Sequence, residues 1–365
     1  MKRKVRTLIV LTPGFPESEA DVNCLPMQQL FVRTVREQFP QVRVVVLSFQ
    51  YPYTSGYYKF FDIEVESFNG RNKGGIRSLL LRRRVYKALK ELNRTTDIVG
   101  LLSFWYGECA LVGSRFGKAY GVKHYCWIMG QDARAQNKLP GKLKLEGDEL
   151  VALSDFLQVE FEKNHGVRPA RVITPGVTEK LFTGNIKERN IDILGAGSFI
   201  SLKQFSLFID VVGEVKRRLP KVKAVIAGNG AEYDALKQRI EECGLEHNIS
   251  LVGELPHHEL LSRMGQAKIF LHPSSYEGFS GVCMEALAAG AHVVSFCRAM
   301  NKEIEQWHIV NSREGMTEKV LDLMQANLTY ENVLEYRMED TVKKMMELFV
   351  VPETNRGGAK LYLQQ

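Results

Sequence analysis

KIFLHPSSYEGFSGVCMEALAAGAHVVSF, residues 268–296, changes its hydrophobic rhythm three times. KIFLH is a short, continuous apolar run. PSSYEGFS is polar and turn-forming, GVCMEALAAG has helical length and composition, and AHVVSF is a second apolar run. Run, loop, helix and run predict two parallel strands, buried on both faces and joined by a helical crossover. Two carboxylates interrupt this otherwise core-like segment. Glu277 and Glu285 lie eight positions apart, with Gly278 and Gly281 between them.

The same alternation extends along the chain. Strand-like runs occur at 7–11, 42–48, 97–103, 124–129, 150–153 and 171–174, then at 191–197, 222–228, 249–253, 268–273 and 291–296. Helix-length patterns such as 202–219 and 231–244 separate them, and Gly244 reads as the cap ending the latter. The fold class is therefore α/β: two Rossmann-like doubly wound domains facing across a cleft. A chain of 365 residues suits two domains.

The joint falls near 173–190, which holds Pro175, Gly176 and Gly184. Expected boundaries are 1–178 for a first Rossmann-like domain and 186–335 for a second. A tail over 336–365, broken at Pro352, is expected to pack back on the first domain. Charge reverses at the joint, with 28 Lys and Arg against 18 Asp and Glu over 1–180, and 21 against 24 over 181–365. Halves that differ electrically are expected to meet different partners.

Composition excludes several classes. No apolar run approaches the roughly 20 residues of a membrane span. The opening MKRKVRTLIVLTPGFP lacks a small-residue cleavage site and runs into a Pro-Gly turn, so it reads as a first buried strand, not a signal peptide. The six cysteines show no CxxC and fit buried free thiols in a reducing, cytoplasmic setting. The eight histidines show no metal-ligand spacing, and no metal is expected. His257 and His258 read as a solvated helix start after Pro256, and His272 as packed at a strand end.

The two glutamates suggest a ligand. A loop entering a helix through Gly278 and Gly281 presents backbone N–H groups and the positive end of the helix dipole, which suits an anion. Ser280 is placed at the N-cap and adds a hydroxyl. Glu285 would repel a phosphate, so it is assigned to ribose hydroxyls, and Glu277 to a second polyol beyond a diphosphate. The plainer alternative has Glu285 capping the first helical turn and Glu277 solvated. ILGAGSFISLKQF (193–205) adds a strand, a turn at Gly197 and Ser198, and then Lys203, which can neutralise a leaving diphosphate. AGNG (227–230) ends the next strand with another tight turn.

On these residues the chain resembles the retaining glycosyltransferases of family four, the group one transferases of GT-B fold. The E-x7-E signature corresponds to Glu277 and Glu285, and 227–260 and 172–182 are similar to the family's neighbouring stretches. The resemblance is strongest over 171–300. It implies that Glu285 holds the donor ribose and Glu277 the transferred sugar. The diphosphate would lie on Lys203 and on amides of Gly278, Phe279, Ser280, Gly281 and Val282, beside Gly197 and Ser198. It further implies transfer with retention, no cofactor, no metal, and a UDP- or GDP-linked sugar donor. The acceptor would be a glycan or lipid-linked saccharide. Gly14, in PGFP, takes the position of the family's glycine loop, and Asp132 is assigned to sugar or acceptor. Two positions depart from the family: Ser198 stands where an Arg is usual, and Met129 where a His is common.

GGIRSLLLRRRVYKALKEL (74–92) has two apolar edges. Leu81, Val85, Ala88 and Leu92 should face the core. Ile76, Leu79 and Leu80 lie opposite, among Arg83, Lys87 and Lys90. That edge reads either as a contact for an anionic membrane surface, giving a peripheral position on the inner face, or as a solvated basic face with a loop over the apolar residues. Nucleic acid is excluded, because no stacking aromatics accompany the charge. Two rival functions remain. A non-catalytic nucleotide-sugar-binding subunit fits the two departures. An NAD-dependent oxidoreductase fits GAGSF, but lacks the third glycine and an acidic end to the next strand.

Overall fold

Each of the eleven apolar runs forms a strand in the computed structural model, which describes residues 4–182 and 188–349. The first sheet contains β1 (Arg6–Gly14), β2 (Arg43–Tyr51), β3 (Ser55–Phe60), β4 (Ile63–Phe68), β5 (Asp97–Phe104), β6 (His124–Ile128), β7 (Leu150–Ala152) and β8 (Arg171–Val172). Its order is β3-β4-β2-β1-β5-β6-β7-β8, and every pairing is parallel except β3 with β4.

The second sheet contains β9 (Ile191–Ala196), β10 (Ala224–Ala227), β11 (Ile249–Gly253), β12 (Ala267–His272), β13 (His292–Ser295) and β14 (Trp307–Ile309). Its order is β11-β10-β9-β12-β13-β14, all parallel. That is the order of a doubly wound nucleotide-binding sheet, and it reverses between β9 and β12. The crevice at such a reversal, outside the carboxyl ends of the strands, is where ligands bind in open α/β sheets.

The helices are α1 (Pro26–Gln38), α2 (Ile76–Thr95), α3 (Glu108–Tyr120), α4 (Leu139–Leu143), α5 (Asp155–His165), α6 (Phe205–Arg218), α7 (Tyr233–Glu242), α8 (His257–Gln266), α9 (Gly281–Ala288), α10 (Arg313–Gln325) and α11 (Met338–Glu347). Each sheet carries an apolar core on both faces, which is why its strands read as continuous apolar runs. Gly244 ends α7 as expected. It adopts φ +62°, Gly244 N–H donates to Glu241 O, and Leu245 N–H donates to Ile240 O, a Schellman pair.

The chain crosses between the sheets twice, side by side. Val177 N–H donates to Tyr336 O, Met338 N–H donates to Val177 O, and Gly176 lies against the Arg337 backbone so closely that a Cβ would be 2.2 Å from its carbonyl carbon. After the second crossing, α11 puts Met338, Val342, Met345 and Met346 into the core of the first domain. Such burial contributes about 2–5 kcal/mol per large side chain relative to Ala. Gly184 in the joint and Pro352 in the tail lie outside the described residues.

On α2 the buried stripe is Leu81, Val85 and Leu89, with Ala88 and Leu92 half-buried at its edge. Leu89 therefore replaces Ala88 and Leu92 at the centre of the core-facing side. Ile76, Leu79 and Leu80 are 76%, 42% and 50% exposed, so no loop among the described residues covers them.

Candidate functional site

The reversal of the second sheet brings the two signature segments together. β9 ends in the Gly197 turn and β12 in the loop carrying Glu277. One carbonyl stitches them: Leu202 O accepts from Ser275 N–H at 2.9 Å, Ser275 Oγ at 3.1 Å and Ser274 Oγ at 3.2 Å. The stitch sets Lys203 beside Glu277. Lys203 belongs to a 3-10 turn (Ser201–Lys203) and precedes α6 instead of opening it. Its Nζ pairs with Glu277 Oε1, and both side chains are largely buried.

Glu277 Oε1 has a second partner, His272 Nε2 at 2.8 Å. His272 ends β12, is buried, and lies 3.4 Å from Ser280 Oγ. Burial by itself raises the Glu277 pKa. The His272 hydrogen bond and the Lys203 and His272 charges outweigh it and hold the carboxyl at about 2. Ser280 does occupy the N-cap of α9, but its buried hydroxyl turns toward His272 and does not cap the helix. Gly281 N–H is taken by Phe279 O at 3.1 Å. The other first-turn amides of α9 have no intrahelical acceptor.

Glu285 lies on α9 and accepts at Oε1 from His257 Nε2 at 2.8 Å. His257 opens α8 as expected, but it is half-buried against this carboxylate, not solvated. Burial lowers the His257 pKa. The Glu285 hydrogen bond and charge reverse that and raise it.

Gly197 adopts φ +150° and donates to Ala227 O at 3.0 Å. A Cβ on Gly228 would stand 1.9 Å from Gly197 O, so the two glycine turns nest and only Gly fits. Ser198 is exposed on this turn.

The signature loop separates two cavities between the domains. Gly278 presses on Gly130, where a Cβ would be 2.4 Å from the Gly130 Cα, and Ser154 Oγ donates to Gly278 O. Tyr276 faces a cavity of about 930 Å³, donates to Gly130 O at 2.9 Å, and lies under Arg134. That cavity is lined from the first domain by Pro13, Trp105, Glu108 and Asp132, and from the second by Leu202 and Tyr276. Phe279 faces a second cavity of about 470 Å³, which also receives Glu285, His257, Gly281 and, from α1, Met27 and Arg33.

Of the first-domain residues assigned to donor or acceptor, Asp132 lines the larger cavity and Gly14 does not. Gly14 is buried against Tyr51 and Leu25, and its neighbour Pro13 lines the larger cavity. Asp132 is buried, and its Oδ2 accepts from Met129 N–H at 2.7 Å and Tyr106 N–H at 2.8 Å. Its carboxylate thus organises the turn at the cavity wall. Val282 is half-buried on the inner side of α9.

Residues 177–334 match the family model described as Glycosyl transferases group 1. Over these residues the second domain is similar to the group 1 glycosyl transferases. Among curated relatives, the phosphatidylinositol N-acetylglucosaminyltransferase gpi3 subunit of Schizosaccharomyces pombe is 34% identical over 93 residues, which cover 26% of this chain and 20% of the relative. The chain spans about a third or less of the length of the first curated relatives it matches. Two solved structures share the whole two-domain GT-B architecture. Sucrose-phosphate synthase from Thermosynechococcus elongatus superposes with a TM-score of 0.66 at 15% identity, covering 94% of this chain and 95% of that one. Anabaena HepE, in complex with UDP and glucose, gives 0.63 at 15% identity, covering 95% and 96%.

Four features of this site carry no plain sequence signal: the His272 and His257 contacts, the Tyr276 seam and the Trp105 wall. A polar residue at the carboxyl end of a buried parallel strand is the one signal that points to His272. Trp105 shows itself through its backbone, φ +67°, a left-handed conformation unusual for a bulky residue.

Proposed function

We propose that the protein transfers a sugar from a nucleotide-diphosphate sugar to a hydroxyl acceptor, with retention and without a metal. The observation that carries the reading is the placement of both signature carboxylates. Glu277 and Glu285 flank the N-terminus of α9 at the reversal of the second sheet. Glu285 opens into the cavity shared with α1, and the residue beside Glu277 opens into the cavity shared with Trp105. The nucleoside fits the Glu285 side, the diphosphate the α9 amides and Lys203, and the sugar the Glu277 side. The gpi3 relative and the HepE complex support a nucleotide-sugar donor, with UDP as the first base to test.

Lys203 is paired with Glu277. An incoming diphosphate competes for that ammonium, and Lys203 then neutralises charge on the departing phosphate. The bond between the sugar C1 and the phosphate oxygen breaks with oxocarbenium character. The acceptor oxygen attacks from the same face, and its proton passes to the leaving phosphate oxygen. The chain supplies positioning and diphosphate stabilisation.

The acceptor fits the 930 Å³ cavity, whose aromatic walls and amide side chains (Gln50, Asn137, Asn164) suit a saccharide. The exposed Ile76, Leu79 and Leu80 among Arg77, Arg83, Lys87 and Lys90 support an acceptor presented at an anionic lipid surface. No helix among the described residues is long and apolar enough to cross a membrane.

The test is binding and turnover with UDP-, GDP- and ADP-sugars. Thermal stabilisation by one sugar nucleotide, with nucleotide release on adding acceptor, supports the reading. Stabilisation without release of nucleotide or sugar supports the binding-subunit alternative. No stabilisation by any of them overturns both.

A further inference from the structure

Each signature carboxylate is gripped at one oxygen by its own histidine, from a different element. His272 Nε2, on the last residue of β12, stands 2.8 Å from Glu277 Oε1. His257 Nε2, on the first residue of α8, stands 2.8 Å from Glu285 Oε1. The second oxygen of each carboxylate takes no hydrogen bond among the described residues.

We propose that His272 and His257 are positioning residues, each clamping one oxygen of a carboxylate so that the other is aimed at substrate. His272 sets Glu277 for the sugar ring, and His257 sets Glu285 for the ribose. The inference rests on the nucleotide-sugar reading of the same site.

Lys203 cannot serve as the fixed clamp of Glu277. It is a long, flexible cation that a diphosphate draws away. His272 has two side-chain torsions and is 3% exposed at the end of a central strand, so it stays when Lys203 leaves. An ionised carboxylate only accepts, so His272 Nε2 carries the proton and donates it to Oε1. The donation fixes the carboxylate plane against rotation. His257 does the same from α8. The two clamps therefore act on opposite ends of the donor, and their loss has different kinetic signatures.

The experiment compares wild type with His272→Ala, His272→Gln, His257→Ala and His257→Gln. Calorimetry uses UDP and UDP-glucose, or GDP and GDP-mannose, whichever pair the wild type binds, and turnover is followed by nucleotide release. Gln places an N–H donor near the Nε2 position. His272→Ala is expected to lower kcat about tenfold or more while the nucleoside diphosphate binds within about twofold of wild type. His272→Gln should recover most of that kcat. His257→Ala is expected to weaken the nucleoside diphosphate about tenfold, with kcat changed far less, and His257→Gln to recover the affinity.

Wild-type kcat in His272→Ala, or equal losses for the nucleotide and its sugar conjugate, overturns the proposal. So does wild-type nucleotide affinity in His257→Ala. If an Ala variant does not fold, the paired Gln variant carries the test, since loss of the same parameter in a folded Gln variant contradicts rescue. A wild type that binds neither pair overturns the underlying reading and this inference with it.

Discussion

Lys203 and Glu277, 74 residues apart, form an ion pair across the reversal point of the second sheet. Both are proposed to serve the donor, one at its diphosphate and one at its sugar, and in the structure each satisfies the other. Removing one charge therefore releases the other. Glu277→Gln should lower kcat about a hundredfold, while the nucleoside diphosphate binds as tightly as to wild type or more tightly. Calorimetry with the nucleotide alone checks this. A large loss of nucleotide affinity in Glu277→Gln would show that the glutamate belongs to the diphosphate side.

Lys203→Ala should do the reverse. The diphosphate loses its main side-chain cation, so affinity for the nucleoside diphosphate falls about tenfold to a hundredfold. The same calorimetric titration reads it, and unchanged affinity would place the diphosphate elsewhere.

Glu285→Ala removes an acceptor for ribose hydroxyls and leaves His257 without its partner. The expected loss in kcat/KM is about a hundredfold, carried mostly by KM. Steady-state kinetics with a fixed acceptor is the check, and near wild-type values would refute the ribose assignment.

Asp132 gives a pH signature. Burial pushes its pKa up to about 7 against the pull of the two backbone hydrogen bonds, from an ordinary value near 3.8. The folded state then holds a proton that the unfolded state has lost, so this group's contribution to stability falls as pH rises from about 4 to about 7. Asp132→Asn keeps an acceptor for Met129 and Tyr106 and removes the titration. Urea melts across that range should show wild type losing stability relative to Asp132→Asn as pH rises. Parallel profiles would contradict the raised pKa.

The exposed edge of α2 predicts vesicle binding. Ile76→Asp combined with Leu80→Asp should abolish flotation with anionic vesicles and leave turnover on a soluble acceptor unchanged, because neither residue touches the cavities. Equal flotation of the variant and wild type, or none by wild type at low salt, would contradict the lipid contact.

Much of the architecture is legible in the sequence because a parallel strand buried on both faces must be apolar throughout, and eleven strands announce themselves that way. The three that do not are the exceptions to the same physics. β3 is an antiparallel edge strand, SGYYKF, largely exposed, β4 (IEVESF) alternates apolar and polar residues, and β14 is three half-buried residues. The site divides similarly. Glu277, Glu285 and the glycine turns carry local signals, since a strand-end turn needs Gly where backbones nest, as Gly228 does on Gly197. The contacts of those carboxylates are non-local: Lys203 and His257 reach them through tertiary packing, which no spacing records. Asp132 shows the same non-locality. It lines the larger cavity, and only the fold reveals that two amides hold its Oδ2.

The most direct measurement is a crystal structure with the nucleoside diphosphate that stabilises the protein. The account predicts the ribose within hydrogen-bond distance of Glu285, the diphosphate on the first-turn amides of α9, and Lys203 turned from Glu277 onto a phosphate oxygen. A nucleotide bound away from the reversal between β9 and β12, with the Lys203–Glu277 pair intact, would contradict it.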